Sequence, residues 1–252
     1  MANDAAAPLL ALEAKGFQIR FLSHARAILT VDFPQVLQEL ADALATLTIP
    51  IEELVGSGGG ESKGTQRLRR ALASRAWTKK RFEITKTING EPRESTSHEM
   101  DHVREIAERG IVALEIEWNN KDPFFDRDLE NFKRVHAEGA ISVGIIITRG
   151  SSLQDGMRKA VNRFAETRRI DAFEKLEPFG VLPTRRQRTA IEARMKLRKE
   201  AFPNAWVDHF VSDKYGSATT HWRKLEDRIQ RRVGNPCPLL LIGLPDSIVT
   251  FD

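Results

Sequence analysis

Apolar residues change their spacing along this chain, and each spacing predicts an element. In residues 33 to 48, FPQVLQELADALATLT, they recur every three or four positions, the period of one helix face. Residues 153 to 166 also read as a helix. Over residues 126 to 136 Leu129, Phe132 and Val135 share a face, Asp126 stands where it can cap the N-terminus, and Gly139 marks the end. Residues 81 to 89, RFEITKTIN, alternate instead and carry β-branched side chains, which predicts a strand closed by the Asn89-Gly90 turn. An extended segment from about Ser95 runs through SHEMDHVRE into a second, buried strand at 111 to 118. ISVGIIIT (141 to 148) and PLLLIGL (238 to 244) are almost continuously apolar, as strands covered on both faces are. Thr219 or Thr220 can cap a helix reaching about Val233. The alternation predicts an α/β fold, with a central mixed β-sheet flanked by helices, in a single catalytic and binding domain over residues 1 to 252. Residues 170 to 210, irregular around Pro178 and Pro183 and then basic and helical, read as an inserted basic helical subdomain.

One strand breaks its own pattern. In GIVALEIEWNNKDPFFDRDL, residues 110 to 129, an apolar run gives way to Glu115 and Glu117. Side chains two apart on a strand share a face, so the two carboxylates project together with Ala113, while Leu114 and Ile116 point the other way. Like charges this close repel, and more strongly as water is excluded. Two readings stand: a pair holding a hard, oxygen-seeking cation such as Mg²⁺, or two exposed acids on a solvent-facing edge strand. Upstream lies Asp101, completing D-x(13)-E-x-E. Phosphodiester hydrolysis has to neutralise a pentacovalent transition state, and carboxylates from two adjacent strands can clamp a metal that does so. As a bare pattern the three acids are weak evidence, because acids are abundant.

Composition narrows the classes. The chain has 252 residues, 41% of them hydrophobic, and no apolar run approaches a membrane span of roughly 18 residues. MANDAAAPLLALEAKG lacks the basic start of a signal peptide, and the lone Cys237 excludes an intrachain disulfide framework and a cysteine zinc site; both features predict a cytoplasmic protein with no membrane partner. Net charge is only +4, but it is unevenly spread. Residues 63 to 81 carry eight Lys or Arg and no acid, residues 184 to 199 seven against one acid, and residues 223 to 232 five against two. Such blocks are the footprint of a polyanion binder, or else solvated helix faces. VGSGGG, residues 55 to 60, is followed by Glu61 and Ser62 and not by the Gly-Lys-Ser/Thr of a phosphate-binding loop. His98 and His102 flank Asp101 with an i, i+4 spacing that would bring them together on a helix, but the segment reads as extended, where positions four apart stand too far from each other along the strand to share an ion.

Several ordered blocks together resemble the BglII-type restriction endonucleases: SHEMDHV, EIEWNNKDPFFDRDLENFKRVHAEGAISVGIIITRG, KYGSATTHWRKL and GNPCPLLLIG, over roughly residues 54 to 150 and 212 to 244. The resemblance implies the PD-(D/E)XK nuclease core, Mg²⁺-dependent cleavage of double-stranded DNA leaving 5′-phosphate ends (with Mn²⁺ able to substitute), and a homodimer on a palindromic site. A cognate DNA methyltransferase would act on the same site without a required direct contact. Asp101 and Glu115 match the family's metal-binding aspartate and glutamate. Glu117 stands where many of these enzymes have lysine, BglII glutamine and BamHI-like enzymes glutamate, so it can position or deprotonate water or bind metal. Glu61 matches an accessory acidic or amide position near the metal. Asn119, Asn120 and Lys121, directly after the strand, can meet phosphate or base edges, or simply form a polar turn. Ser217, Thr219, Thr220 and His221 enter a helix, where hydroxyls either cap or contact DNA, with Lys214 the nearest phosphate contact. Nothing from the family transfers to residues 170 to 210, whose Arg185, Arg186 and Arg188 are DNA-contact candidates on charge alone. An inactive DNA-binding relative is argued against by the intact acids. A two-carboxylate glycosidase is argued against by neighbours on one strand, since its carboxylates flank the bond.

If the basic blocks meet phosphates, log affinity for DNA will fall against log salt by about 0.9 per phosphate neutralised. A salt titration by fluorescence anisotropy measures this, and a flat line would remove nucleic acid as the partner.

Overall fold

The computed structural model describes residues 4–57 and 60–251. Of the glycine-rich VGSGGG, Gly58 and Gly59 lie outside the described residues. Six strands form one mixed sheet: β1 (Gln18–Leu22), β2 (Thr78–Ile88), β3 (Glu91–Ile106), β4 (Gly110–Glu117), β5 (Val143–Arg149) and β6 (Leu239–Leu244), in the spatial order β1-β6-β5-β4-β3-β2. The central β4, β5 and β6 are parallel, and β1 and β3 run antiparallel to their neighbours. β2 and β3 form the predicted hairpin through Asn89 and Gly90, both at positive φ (52° and 85°), as the tightest two-residue turn requires. A two-residue parallel pairing, Ile49–Pro50 with Val249–Thr250, stands apart from the sheet.

Helices cover both faces, as the apolar central runs require. α1 (Pro34–Ala45), α2 (Lys63–Ala73), α4 (Ser151–Thr167), α5 (Arg185–Arg198) and α6 (Phe202–Lys214) contribute to one core with Val112, Leu114, Val143, Ile145 and Ile147 of the sheet. α3 (Phe124–Ala137) and α7 (Trp222–Gln230) contribute to a second core with Ala113, Ile146, Leu239 and Leu241. The segment read as an insert packs Leu176, Val181, Ile191, Phe202 and Trp206 into the first core. α5 buries only Ile191, which explains why its sequence shows charge and little periodicity. Among the described residues no helix is long and apolar enough to cross a membrane.

Two capping expectations fail. Asp126 is not the cap of α3: Pro123 occupies that place, and Asp126 sits in the first turn accepting from Arg228 at 3.2 Å. Neither Thr219 nor Thr220 caps α7, whose N-cap is His221. Both hydroxyls are spent elsewhere, on contacts across 70 residues and more of sequence that local patterning does not reveal.

Two glycines set how closely the second layer lies on the sheet. A Cβ on Gly144 of β5 would meet Phe132 of α3 at 2.5 Å, and one on Gly243 of β6 would meet Trp222 of α7 at 2.9 Å. Aromatic rings thus rest on bare backbone in the middle of the sheet, and the first contact fixes the height of α3 above β4 and β5. Gly144→Ala should overpack this contact and cost about 1–3 kcal/mol of stability, measurable by urea unfolding. A midpoint unchanged from the parent would mean that α3 is not seated on this residue.

Candidate active site

β4 is an interior strand, and its alternation carries Ala113, Glu115 and Glu117 to the side covered by α3. The edge-strand reading therefore fails, since Glu115 and Glu117 are only 5% and 3% exposed. A third acid, Asp128, comes down on them from α3 and is fully buried. Nδ2 of Asn120 donates to Glu117 Oε2 at 2.7 Å. Arg127 Nη2 lies 3.5 Å from Glu117 Oε1, and its Nε donates to Asp128 Oδ1 at 2.8 Å. Oδ2 of Asp128 has no donor partner among the described residues, and Glu117 can hydrogen-bond to Asp128 only when one of the two carries a proton.

Burial governs the electrostatics. It pushes the Glu115 carboxyl up to about 9, reinforced by the charges of Asp128 and Asp101. Burial, and then Asp128, push Glu117 the same way. The acids thus resist ionising together unless a positive charge joins them. His98 Nε2 is 3.9 Å from Glu115 Oε1, but burial lowers the imidazole pKa, so it is a poor source of that charge.

Asp101 stands on β3 beside Glu115, whose Oε1 accepts the Asp101 backbone N–H at 3.4 Å. The pairing of β2 with β3 slips here: Thr78 opposes Val103 while Lys80 opposes Met100. Asp101 and His102 together face Lys79, a bulge of the kind that re-aims side chains. The Asp101 carboxylate is half exposed and pairs with Lys79 Nζ at 3.1 Å. Glu61 pairs with Arg69 at 3.1 Å and adds to the negative field at His102. Among the described residues no three His, Cys, Asp or Glu side chains converge as a metal cage. The donor chemistry nonetheless fits a hard divalent cation: the acids offer oxygen alone, one carboxylate oxygen of Asp128 is orphaned, and positive charge is what the buried acids lack.

Beyond β4 the chain turns through Asn119, Asn120 and Lys121, and this turn is tied to residues 216 to 220. Asn120 N–H donates to Thr220 Oγ1 at 3.1 Å, Thr220 N–H to the Asn120 carbonyl at 2.8 Å, and Lys121 bridges to Thr219. Arg149, at the end of β5, fastens both. It is fully buried, and its donors reach the Trp118 carbonyl (2.8 Å), Gln154 Oε1 (2.6 Å), Thr219 Oγ1 (2.6 Å) and the Thr220 carbonyl (2.8 Å). Burial lowers its pKa to about 10, which leaves it charged at neutral pH.

The other candidates are dispersed. Asn120, Lys121 and Ser217 are exposed, whereas Thr220 is fully buried with its hydroxyl engaged. His221 is buried with Nδ1 unpaired among the described residues, and burial takes its pKa down to about 4. Lys214 gives two hydrogen bonds to the carbonyls of Leu54 and Gly56, at 3.0 and 2.7 Å, and so anchors the chain entering the glycine-rich loop. Arg185 and Arg186 are exposed on α5, while Arg188 stacks 4.9 Å from the Phe173 ring centroid. Sequence reasoning missed Asp128, Arg127 and Arg149. Asp128 had a signal: it interrupts the apolar stripe of Phe125, Leu129 and Phe132 on α3. Arg149 had only its place at the end of an apolar run.

A family model described as Restriction endonuclease BglII/BglIII matches residues 17–244 of the chain. No curated protein matches.

Arg149→Lys tests the fastening. One ammonium cannot serve acceptors spread over both turns and α4, so the variant should lose at least about 2 kcal/mol and become protease-sensitive around residues 216 to 220. Denaturant unfolding with limited proteolysis reports both, and parental values in each would show that the loops hold without it.

Proposed function

The chain belongs to the BglII/BglIII family of restriction endonucleases, and from that premise we propose that Asp101, Glu115 and Glu117 are the cleavage centre of a Mg²⁺-dependent enzyme leaving 5′-phosphate ends. As a member of that family it is a type II, site-specific deoxyribonuclease acting on double-stranded DNA. The observation that carries the reading is the burial of Glu115 and Glu117 side by side on an interior strand, with Asp101 on the neighbouring one. A fold with no use for them would not keep two acids side by side out of water with so little positive charge against them.

Asp101, Glu115 and Glu117 would hold the divalent ion, with Mn²⁺ able to replace Mg²⁺. When bound, the ion supplies positive charge for the pentacovalent transition state and the leaving oxygen. Glu117 is steadied by Asn120 at 2.7 Å, which suits a group that orients the attacking water or takes its proton. Glu61, tied to Arg69, is an accessory acid at the rim. Asn119, Asn120, Lys121 and Ser217 border the site and are proposed to touch DNA, with Thr219, Thr220 and His221 forming the wall behind them. Arg185, Arg186 and Arg188 are proposed to meet phosphates on the flank, where exposed guanidinium groups steer a polyanion without reading sequence. Lys214 acts there through its grip on the Leu54 and Gly56 carbonyls. The enzyme is proposed to act as a cytoplasmic homodimer, each subunit cutting one strand of a palindromic site protected by a separate methyltransferase.

Digestion of a DNA of known sequence with Mg²⁺, followed by sequencing of the ends, tests the activity, the cofactor and the product. Glu115→Ala should bind the site and fail to cleave with any divalent ion. Glu117→Ala should lose at least roughly 10²-fold in rate, and Glu117→Lys should keep the fold. Neither alanine change should destabilise the metal-free protein, because each removes a buried acid whose ionisation burial and the neighbouring acids already disfavour. Full activity in Glu115→Ala would move the chemistry elsewhere, and cleavage that survives EDTA would remove the metal.

A further inference from the structure

Arg127 has no part in the proposed cleavage centre, yet it pairs with two of the buried acids, Glu117 and Asp128. It lies in the first turn of α3, directly after the turn that follows β4. Nε donates to Oδ1 of the buried Asp128 at 2.8 Å, and Nη2 lies 2.8 Å from the same oxygen and 3.5 Å from Glu117 Oε1. The guanidinium carbon is 4.3 Å from the Phe124 ring centroid, so a ring fixes the plane of the group. The side chain is still 48% exposed. Nη1 makes no hydrogen bond among the described residues.

We propose that Arg127 is a catalytic residue of DNA cleavage: its open edge binds the non-bridging oxygens of the scissile phosphate, and Asp128 is the residue that aims it. This rests on the assignment of Glu115 and Glu117 as the cleavage centre. An arginine whose task was only to neutralise buried acid would gain by turning inward, as Arg149 does, with its donors consumed by the protein. Arg127 instead spends its Nε–Nη2 edge on Asp128 and one face of its plane on Phe124, and keeps Nη1 unbonded among the described residues on a half-exposed side chain beside Glu117. Asp128, the ring and Glu117 restrain the guanidinium before substrate arrives, so little rotamer freedom remains to be lost on binding. Its planar fork matches two oxygens of one phosphate, and negative charge grows on those oxygens as the water oxygen adds to phosphorus and the bond to the leaving sugar oxygen breaks. The burial of Asp128 in the apolar stripe of α3 has its reason here: a carboxylate on a fixed helix is a rigid hinge for the guanidinium.

The test uses the full-length enzyme and duplexes carrying its mapped site, with either non-bridging oxygen of the scissile phosphate replaced by sulfur. Parent, Arg127→Ala, Arg127→Lys and Glu115→Ala are compared in DNA affinity and single-turnover cleavage. Arg127→Ala should bind DNA as the parent does and cleave roughly 10²-fold more slowly, with Arg127→Lys intermediate. The sulfur penalty at one of the two positions should shrink in Arg127→Ala, because the contact that the sulfur disturbs is already gone. If the alanine variant does not fold, the same comparison of sulfur penalties is read on Arg127→Lys. A parental rate in Arg127→Ala overturns the proposal. So does a slow variant whose sulfur penalties at both positions equal those of the parent, since Arg127 would then only offset the charge of Asp128. An inert Glu115→Ala beside an unimpaired Arg127→Ala refutes this inference alone, whereas an active Glu115→Ala refutes the cleavage centre on which it rests.

Discussion

Carboxylates are costly to take out of water, and this protein buries three of them, Glu115, Glu117 and Asp128, in one volume at the end of an interior strand. Much of the surrounding architecture answers that constraint. Strand alternation puts the two glutamates on the α3 side, α3 begins close behind them so that its first turns bring Asp128 and Arg127 down, and the intervening turn supplies Asn120. The free protein meets the demand only in part, with one half-exposed guanidinium and one amide, and it holds Glu115 with a pKa near 9. The cluster of acids is thus left short of positive charge.

The same constraint explains why the second layer must sit low. Acids on α3 can reach those on β4 only if the helix backbone lies close to the sheet, and Gly144 provides that closeness by leaving room for the Phe132 ring. Asp101 meets the site from the other side through a bulge rather than through regular pairing, so its carboxylate rests at the surface against Lys79. One wall of the site is thus rigid and buried, and the other is exposed and held by an ion pair that water screens.

Most of the fold was legible in the sequence because the segments that build it are periodic. The continuous apolar runs became β5 and β6, the alternating 81 to 89 and Asn89-Gly90 became the hairpin, and the helical spacings became α1, α3 and α4. Of the candidate site, the pairing of Glu115 with Glu117 was legible because it follows from strand geometry alone. Asp128 was visible only as an acid on an apolar face, and a count of apolar spacing passes over it. The capping roles expected of Asp126, Thr219 and Thr220 were misread for a shared reason: each side chain is claimed by a partner distant in sequence, and such a partner outcompetes a local cap whenever burial requires it. The blocks of charge did not tell which cations are free, and Lys214 turned out to be held by two carbonyls.

Arg149 has a bearing on how relatives of this protein diverge. Because one guanidinium grips the exit of β4 and the 216 to 220 turn together, the two loops are mechanically one part. A substitution that lengthens or re-angles either loop drags on the other through a shared pivot with no slack. New binding preferences built on this scaffold should therefore arise by paired changes in both loops while Arg149, Gln154 and Thr219 stand still, and transplanting a single loop from a cousin would carry half of a joint.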